Sequence, residues 1–154
     1  PGEAVDTLGA PRQVELRIAP EGSGLQVAVT LRSKPANRMP EASFVTFTPA
    51  AALDWQFLKM GLWQDATAVA PRGGGQLQAV FGVRASLPDA ALEITPLDTP
   101  LAAPSNTPFM AFDKLPPSFP KGIRFNLHNN KWGTNFPMWW EGDLLSRIVL
   151  ELGD

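Results

Sequence analysis

Cysteine is missing from this 154-residue chain, and charged residues are sparse. Without cysteine there is no disulfide, no thiolate metal site and no cysteine nucleophile, and the redox compartment cannot be inferred. Lys and Arg number 13 against 15 Asp and Glu, which gives a formal net charge of -2. A nucleic-acid-binding protein needs a basic face to neutralise phosphates, so we exclude that class. No apolar run has the length of a membrane span, so no membrane partner is expected.

The sequence also lacks an initiating methionine and a signal peptide, since it begins Pro1-Gly2-Glu3. We expect residue 1 to be a processing product or an internal boundary, so that a targeting segment could have been removed with the preceding chain. Localisation is therefore left open, with secretion and the periplasm among the alternatives.

Proline and glycine, in contrast, are plentiful, with 16 and 13 residues. Both residues break helices, so their abundance favours short strands separated by tight connections. Apolar and polar residues alternate in many segments, which is the period of a half-buried strand. The predicted strands cover residues 14–18, 25–32, 43–48, 53–62, 76–85, 92–97, 123–127 and 143–152. A short helix is the alternative for residues 53–62, and the neighbouring strands favour the strand. No segment shows a helical stripe with caps at both ends.

This pattern predicts an all-β fold, an antiparallel β-sandwich of many short strands. We expect a single domain over residues 12–154, preceded by an N-terminal tail or linker over residues 1–11. Proline recurs between Thr95 and Pro120, which predicts a long extended connection over the surface with few regular hydrogen bonds. The last strand is apolar on parts of both faces, which predicts an interior position in its sheet.

The most distinctive segment is 122–140, which contains three Trp, four Asn and the only His of the chain. Buried amides need hydrogen-bond partners, so a core strand has little use for adjacent asparagines beside aromatic rings. Sugars stack their C–H faces on such rings, while amides bridge their hydroxyls. The segment therefore predicts a carbohydrate site. Its predicted ligand-binding residues are His128, Asn129, Asn130, Trp132, Asn135 and Trp139.

Structural roles are the alternative for the same residues. One or two tryptophans could fill the core, and asparagine commonly shapes turns. Alternation along a regular strand sends Trp139 and Trp140 to opposite faces, so at most one can face the core. A lone histidine such as His128 more often has a structural or hydrogen-bonding role. Trp55 and Trp63 lie in a more apolar context and are predicted to be core residues.

Motifs for catalysis by this chain alone are scarce. A single histidine excludes His-His metal motifs, and no Gly-x-Ser-x-Gly elbow is present. Residues 73–75 are three glycines that precede a strand instead of a helix, so they indicate a hairpin tip and not a phosphate loop.

Glu141 and Asp143 are weak candidates for the pair of carboxylates that glycoside hydrolysis requires. They follow the tryptophan pair directly, and on a strand they would share one face. The alternative is that they cap a strand end and form ion pairs with a nearby arginine, such as Arg124 or Arg147. Spacing alone does not meet the geometric requirement for a catalytic pair.

The phrase NLHNNKWGTNFPMWW, residues 126–140, resembles a signature near the C-terminus of a domain-of-unknown-function family. That family is similar to glycoside hydrolase family 38, the α-mannosidases. The segments 38–42 and 97–104 also resemble its C-terminal region, and the resemblance covers residues 12–152. The sequence departs from the signature at His128, where an aromatic hydroxyl is expected.

The resemblance implies that this chain is the C-terminal accessory β domain of a larger glycosidase and is inactive alone. The catalytic barrel, with its nucleophilic Asp and a divalent metal, zinc by resemblance, would precede it, so no cofactor is expected here. The expected partners are a carbohydrate and that barrel, and an exposed docking face would allow self-association. An autonomous carbohydrate-binding module and a structural or docking domain are the alternatives.

Overall fold

The computed structural model describes residues 2–52, 54–69, 77–106, 116–130 and 139–153. Within them the elements are α1 (Gly2–Leu8), β1 (Gln13–Glu21), β2 (Gly24–Lys34), β3 (Ala42–Phe47), β4 (Asp54–Lys59), β5 (Leu62–Asp65), β6 (Gln78–Ala79), β7 (Gly82–Ser86), β8 (Ala91–Pro96), β9 (Leu101–Pro104), β10 (Ile123–Asn129) and β11 (Gly142–Gly153). The fold is all-β, as predicted.

Two antiparallel sheets pack against each other as a sandwich. The larger sheet has the strand order β1-β2-β11-β8-β7-β4-β5, and the smaller has the order β3-β10-β9-β6. β11 lies between β2 and β8, which confirms the interior position predicted for the last strand. β1 and β5 are the two edges of the larger sheet.

The core lies between the facing surfaces of the two sheets. Phe57, Val83 and Ile94 from the larger sheet and Phe125 from the smaller sheet are fully buried. The ring of Phe125 meets that of Phe47 edge-on, with centroids 6.0 Å apart. These side chains occupy the apolar positions of the alternating pattern, so the period of two in the sequence reports the buried face directly.

The proline-rich segment contains a strand that the sequence analysis did not predict. β9 pairs with β10 and β6, and its Ala102, Ala103 and Pro104 are buried. The prediction of a surface connection was wrong here, because alanine and proline give no alternating pattern of large apolar residues. Pro104 is tolerated because it stands at the end of the strand. Residues 107–115 of the segment lie outside the described residues.

Three other segments also differ from the prediction. The predicted strand 53–62 is divided, since β4 and β5 form an antiparallel hairpin that turns at Met60 and Gly61. The predicted strand 76–85 is divided, since β6 belongs to the smaller sheet and β7 to the larger one. Residues 1–11 contain a short helix, Gly2–Leu8, which buries Val5 and ends where Gly9 takes a φ of +67°. Seven residues are too few for a repeated helical stripe. The helical part of the described chain offers no segment long and apolar enough to cross a membrane.

Candidate functional site

The predicted binding segment begins at an irregularity in β10. Its register against β3 shifts between Asn126 and His128, which marks a β-bulge. Asn126 stabilises this bulge, because its Nδ2 donates to the backbone oxygens of Ser43 at 3.1 Å and His128 at 2.9 Å. Asn129 Nδ2 donates in turn to Asn126 Oδ1 at 2.7 Å. Bulges re-aim side chains and are common beside functional sites.

His128 lies next to a buried ion pair that joins the two sheets. Lys34 Nζ is 2.5 Å from Glu41 Oε1, and the two side chains are 1% and 18% exposed. His128 Nε2 is 3.8 Å from the same oxygen, which is too long for a hydrogen bond. Lys34 comes from β2, Glu41 directly precedes β3, and His128 is on β10. We call these residues the Lys34–Glu41–His128 cluster.

Lys34 faces the interior because the alternation of β2 shifts by one residue near its end. Leu31 is buried and Arg32 is exposed, so regular alternation would send Lys34 outward. Instead, Ser33 takes a φ of +48°, which is uncommon for a residue other than glycine. Its backbone N–H donates to Asp143 Oδ1 at 2.7 Å, which holds this conformation. Lys34 Nζ can then reach Glu41 inside the sandwich.

The tryptophan pair after the undescribed residues 131–138 contributes one inner and one outer ring. Trp140 closes over the cluster, with its ring centroid 5.2 Å from the imidazole of His128 and 5.6 Å from Lys34 Nζ. Lys34 Nζ also donates to the backbone oxygens of Pro35 at 3.0 Å and Trp140 at 3.4 Å. Trp139 is 46% exposed, so its ring is accessible from solvent.

Asn130 braces the loop that carries Glu41. Its Oδ1 accepts from the Glu41 backbone N–H at 2.6 Å, and its Nδ2 donates to the backbone oxygens of Asn37 at 3.1 Å and Met39 at 2.9 Å. These bonds fix the position from which Glu41 reaches Lys34. The side chain of Asn130 is therefore engaged by the protein itself, and the ligand contact predicted for it stays a prediction.

Three polar side-chain atoms at the end of β10 have no hydrogen-bond partner among the described residues. Both ring nitrogens of His128 and the Oδ1 of Asn129 are buried and make no hydrogen bond within the described part of the chain. A buried polar atom without a partner costs roughly 1–3 kcal/mol, so native proteins keep few of them. A hydroxyl group can both donate and accept, and it therefore suits these atoms.

Burial governs the charge state of His128. Loss of hydration lowers the pKa of its imidazole, the nearby carboxylate of Glu41 opposes this effect, and the ammonium of Lys34 reinforces it. With a pKa below its ordinary value, the ring is neutral at pH 7 and offers one donor and one acceptor. The end of β10 therefore holds a neutral, buried imidazole beside the ring of Trp140.

Stability should fall in mild acid because of His128. Its pKa is lower in the folded protein than in the unfolded chain, so below about pH 6.5 the unfolded chain binds a proton that the folded protein does not. We expect this contribution to stability to be fully present near pH 7.5 and to be lost progressively as the pH falls from 6.5 towards the lower pKa of the folded protein. His128→Gln should remove that part of the dependence, as measured by urea unfolding of both proteins between pH 7.5 and 5.5. Parallel pH profiles for the two proteins would contradict this assignment.

The two weak catalytic candidates, Glu141 and Asp143, are both exposed. The backbone N–H of Ser33 and the guanidinium of Arg32, whose Nη1 is 3.0 Å away, lower the pKa of the Asp143 carboxyl. Asp143 thus takes part in an ion pair, as the alternative reading expected. Its partner is Arg32 and not Arg147, because the turn at Ser33 brings the end of β2 against the start of β11.

The remaining aromatic and amide predictions have different outcomes. Trp132 and Asn135 lie outside the described residues. Trp55 is buried in the core, as predicted. The same prediction for Trp63 was wrong, since it is half-buried on the outer face of β5, and the guanidinium carbon of Arg84 lies 4.3 Å from its ring centroid. The apolar neighbours of Trp63 in the sequence do not show that it lies on the outer face of an edge strand, where no second sheet of the described chain covers it.

Lys34 and Glu41 are the site residues that the sequence analysis missed. A charged residue at the end of an alternating strand looks like any solvent-facing lysine, because the shift at Ser33 leaves no trace in the pattern. Glu41 does fall within segment 38–42, which carries part of the family resemblance. That coincidence is the one signal that could have drawn attention to it.

The described residues hold no group of three or more His, Cys, Asp and Glu side chains that could bind a metal ion. In comparisons with known proteins, no family model, no curated protein and no solved structure matches this chain. The family resemblance accordingly stays a prediction.

Proposed function

We propose that this chain is the accessory β domain of a family-38-like glycoside hydrolase and that it presents the end of β10 to a carbohydrate. The observation that carries the proposal is that both ring nitrogens of His128 and the Oδ1 of Asn129 make no hydrogen bond within the described residues, while the Trp140 ring lies 5.2 Å from the imidazole. Trp139 offers an accessible ring for a sugar face, and the neutral imidazole and the amide oxygen suit its hydroxyls.

A rigid base supports these groups. The Lys34–Glu41–His128 cluster ties β2 to the smaller sheet, and Asn130 holds the loop in front of it. Asn126 fixes the bulge from which His128 and Asn129 project. Binding groups that are held by their neighbours lose little conformational entropy when a ligand arrives, which favours recognition.

The described residues favour binding over catalysis. Asp143 is engaged with Arg32, and Glu141 is exposed, so neither occupies the enclosed position that is typical of a general acid. Under this proposal the reacting carboxylates and the metal belong to the barrel. The β domain packs against that barrel and contributes to the rim of the sugar site.

An autonomous carbohydrate-binding module is the second candidate. It is favoured by the 46% exposure of Trp139, because a ring that is already accessible can stack on a sugar without a partner domain. The two candidates use the same residues and differ in whether the isolated chain binds sugar.

Titration of intrinsic tryptophan fluorescence with mono- and oligosaccharides, mannosides included, tests both candidates. For a binding module we expect a saturable change in the isolated chain, weakened roughly tenfold or more by Asn129→Ala or Trp139→Ala. Trp63→Phe, at the far edge of the larger sheet, is the matched control and should leave the affinity unchanged.

For an accessory domain we expect no sugar binding by the isolated chain. The same substitution of Asn129 should then lower kcat/KM of the parent protein, while Trp63→Phe leaves it unchanged. Sugar binding that is insensitive to Asn129 and Trp139 would place the site elsewhere. Absence of binding combined with full activity of the Asn129→Ala parent protein would overturn both candidates.

A further inference from the structure

β1 is an edge strand whose inner face is left uncovered by the smaller sheet. Val14, Leu16 and Ile18 are 60%, 64% and 58% exposed, although their register partners on β2 are buried. Residues directly opposite each other in a sheet share a face, so these three side chains extend the apolar core surface past its cover. We call them the β1 stripe.

The residues of the β1 stripe also direct their backbone groups to the open edge. β1 and β2 are joined by a two-residue turn, with Glu21 opposite Gly24. Residues flanking such a turn form a hydrogen-bonded pair, and these pairs alternate along the strand. The odd-numbered residues of β1 therefore bond to β2, and the N–H and C=O groups of the stripe face outward. Pro20 also faces the open edge, but it has no backbone N–H to donate, which limits the length of the edge that can pair with another strand.

The opposite face of β1 carries one charge of each sign between Gln13 and Ala19. Glu15 is 3.2 Å from the Nη2 of Arg32, while Arg17 forms no ion pair within the described ranges. The two charged residues are separated by one stripe residue, Leu16. This spacing makes the strand complementary to an antiparallel copy of itself.

We propose that β1 pairs with the β1 of a second copy of this chain, antiparallel across a two-fold axis through Leu16. In this register the two Leu16 residues are opposite each other, and Val14 is opposite the partner's Ile18. Glu15 is then opposite the partner's Arg17 in a non-hydrogen-bonded pair, where side chains are closest. The larger sheet then continues from one copy into the other, and the β1 stripes of the two copies lie side by side on the same face. This inference does not depend on the carbohydrate proposal.

Charge excludes the neighbouring symmetric registers. An axis through Glu15 or through Arg17 places identical charges directly opposite each other, which is destabilising. An axis through Ile18 sets Glu15 against Glu21, and an axis through Val14 leaves both charges without an opposite charge. A shift of one residue turns the stripe of one copy against the charged face of the other. Only the register centred on Leu16 pairs opposite charges on one face of the strands and places the two apolar β1 stripes together on the other.

Sedimentation equilibrium of the 154-residue chain over a range of concentrations tests the dimer. The apparent mass should rise from 16.7 kDa to twice that value. Leu16→Lys should hold the protein as a monomer, because two ammonium groups would meet at the axis. Leu62→Lys is the matched control, since Leu62 is 66% exposed on β5, the other edge of the same sheet, and it should still dimerise.

The register has its own test. Arg17→Glu should weaken dimerisation roughly tenfold or more, and combining it with Glu15→Arg should restore the dimer. Leu16→Cys should form a disulfide-linked dimer on oxidation, because facing residues of a hydrogen-bonded pair have Cα atoms about 5.5 Å apart and the chain has no other cysteine. Leu62→Cys should not.

Two results would overturn the proposal. One is a monomer at every concentration, which would indicate that the stripe is open or serves a different partner such as the expected barrel. The other is a dimer that persists in Leu16→Lys or fails to cross-link through Leu16→Cys, since such a dimer would use another surface or register.

Discussion

Replacing Phe57 by alanine should lower the free energy of unfolding by about 3–5 kcal/mol. Phe57 lies at the centre of β4 and is fully buried, and its ring meets that of Phe119 edge-on with centroids 5.7 Å apart. Truncation would remove the ring and leave a cavity between the sheets that the surrounding strands can fill only in part. The loss is a large fraction of the 5–15 kcal/mol that stabilises a typical domain. Urea unfolding followed by far-ultraviolet circular dichroism measures it.

Phe81→Ala is the matched control, because Phe81 is a phenylalanine of the same larger-sheet region but is 67% exposed. Its substitution should change stability by less than about 0.5 kcal/mol. Phe57→Leu keeps part of the apolar volume and should have an intermediate effect, which keeps the measurement accessible if the alanine variant does not fold. Equal losses for Phe57→Ala and Phe81→Ala would contradict the burial of Phe57 between the sheets.

The strands that were predicted best are those with one covered face. In β2 the positions of Val27, Val29 and Leu31 alternate with Ala28 and with polar residues, and the smaller sheet covers that apolar face. The pattern therefore encodes both the strand and its orientation. β9 was missed because its residues, Leu101–Pro104, are mostly too small to produce such a pattern, although they lie in the core. Burial of small residues depends on which strands flank them, which a single segment does not specify.

The same alternation misleads at the edge of the sheet. Val14, Leu16 and Ile18 follow the pattern of a covered strand as clearly as β2 does, yet they are exposed. Sequence period reports which side chains share a face, but the width of the opposing sheet decides whether that face is covered. The smaller sheet has four strands against seven, so an uncovered margin follows from the topology and not from β1 itself.

The candidate site was predictable in composition but not in geometry. Amides and tryptophans around His128 pointed to the end of β10, where the bulge then decides which of them face inward. The contribution of Lys34 depends on the positive φ of Ser33, and that of Glu41 on a loop held by Asn130. Residues 33–41 meet residues 126–130 there, although Glu41 and Asn130 are 89 positions apart in the sequence, and no local pattern encodes that contact.

Replacing Lys34 by methionine should cost about 3–5 kcal/mol, because it leaves a carboxylate without its partner in the interior. Methionine keeps much of the length and the apolar stem of lysine but supplies no charge. Glu41 would lose the ammonium group at 2.5 Å, and the backbone oxygens of Pro35 and Trp140 would lose a donor. The measurement is urea unfolding at pH 7.5. Arg32→Met is the control from the same strand and should have a much smaller effect, because exposed ion pairs are well solvated.

The double variant Lys34→Met with Glu41→Leu separates the cost of a broken pair from the value of the pair itself. Removing both charges eliminates the unpaired carboxylate, so most of the lost stability should return. If the double variant is instead as unstable as Lys34→Met alone, the packing of the lysine stem matters more than its charge.

Nuclear magnetic resonance of the His128 imidazole gives a second, independent measurement of the same contact. Because the ammonium of Lys34 lowers the pKa of His128, that pKa should rise in Lys34→Met and stay unchanged in Arg32→Met. Since the neutral state of His128 is what makes it a partner for hydroxyl groups, the same variant should weaken any carbohydrate binding at the end of β10 in mild acid before it does so at neutral pH.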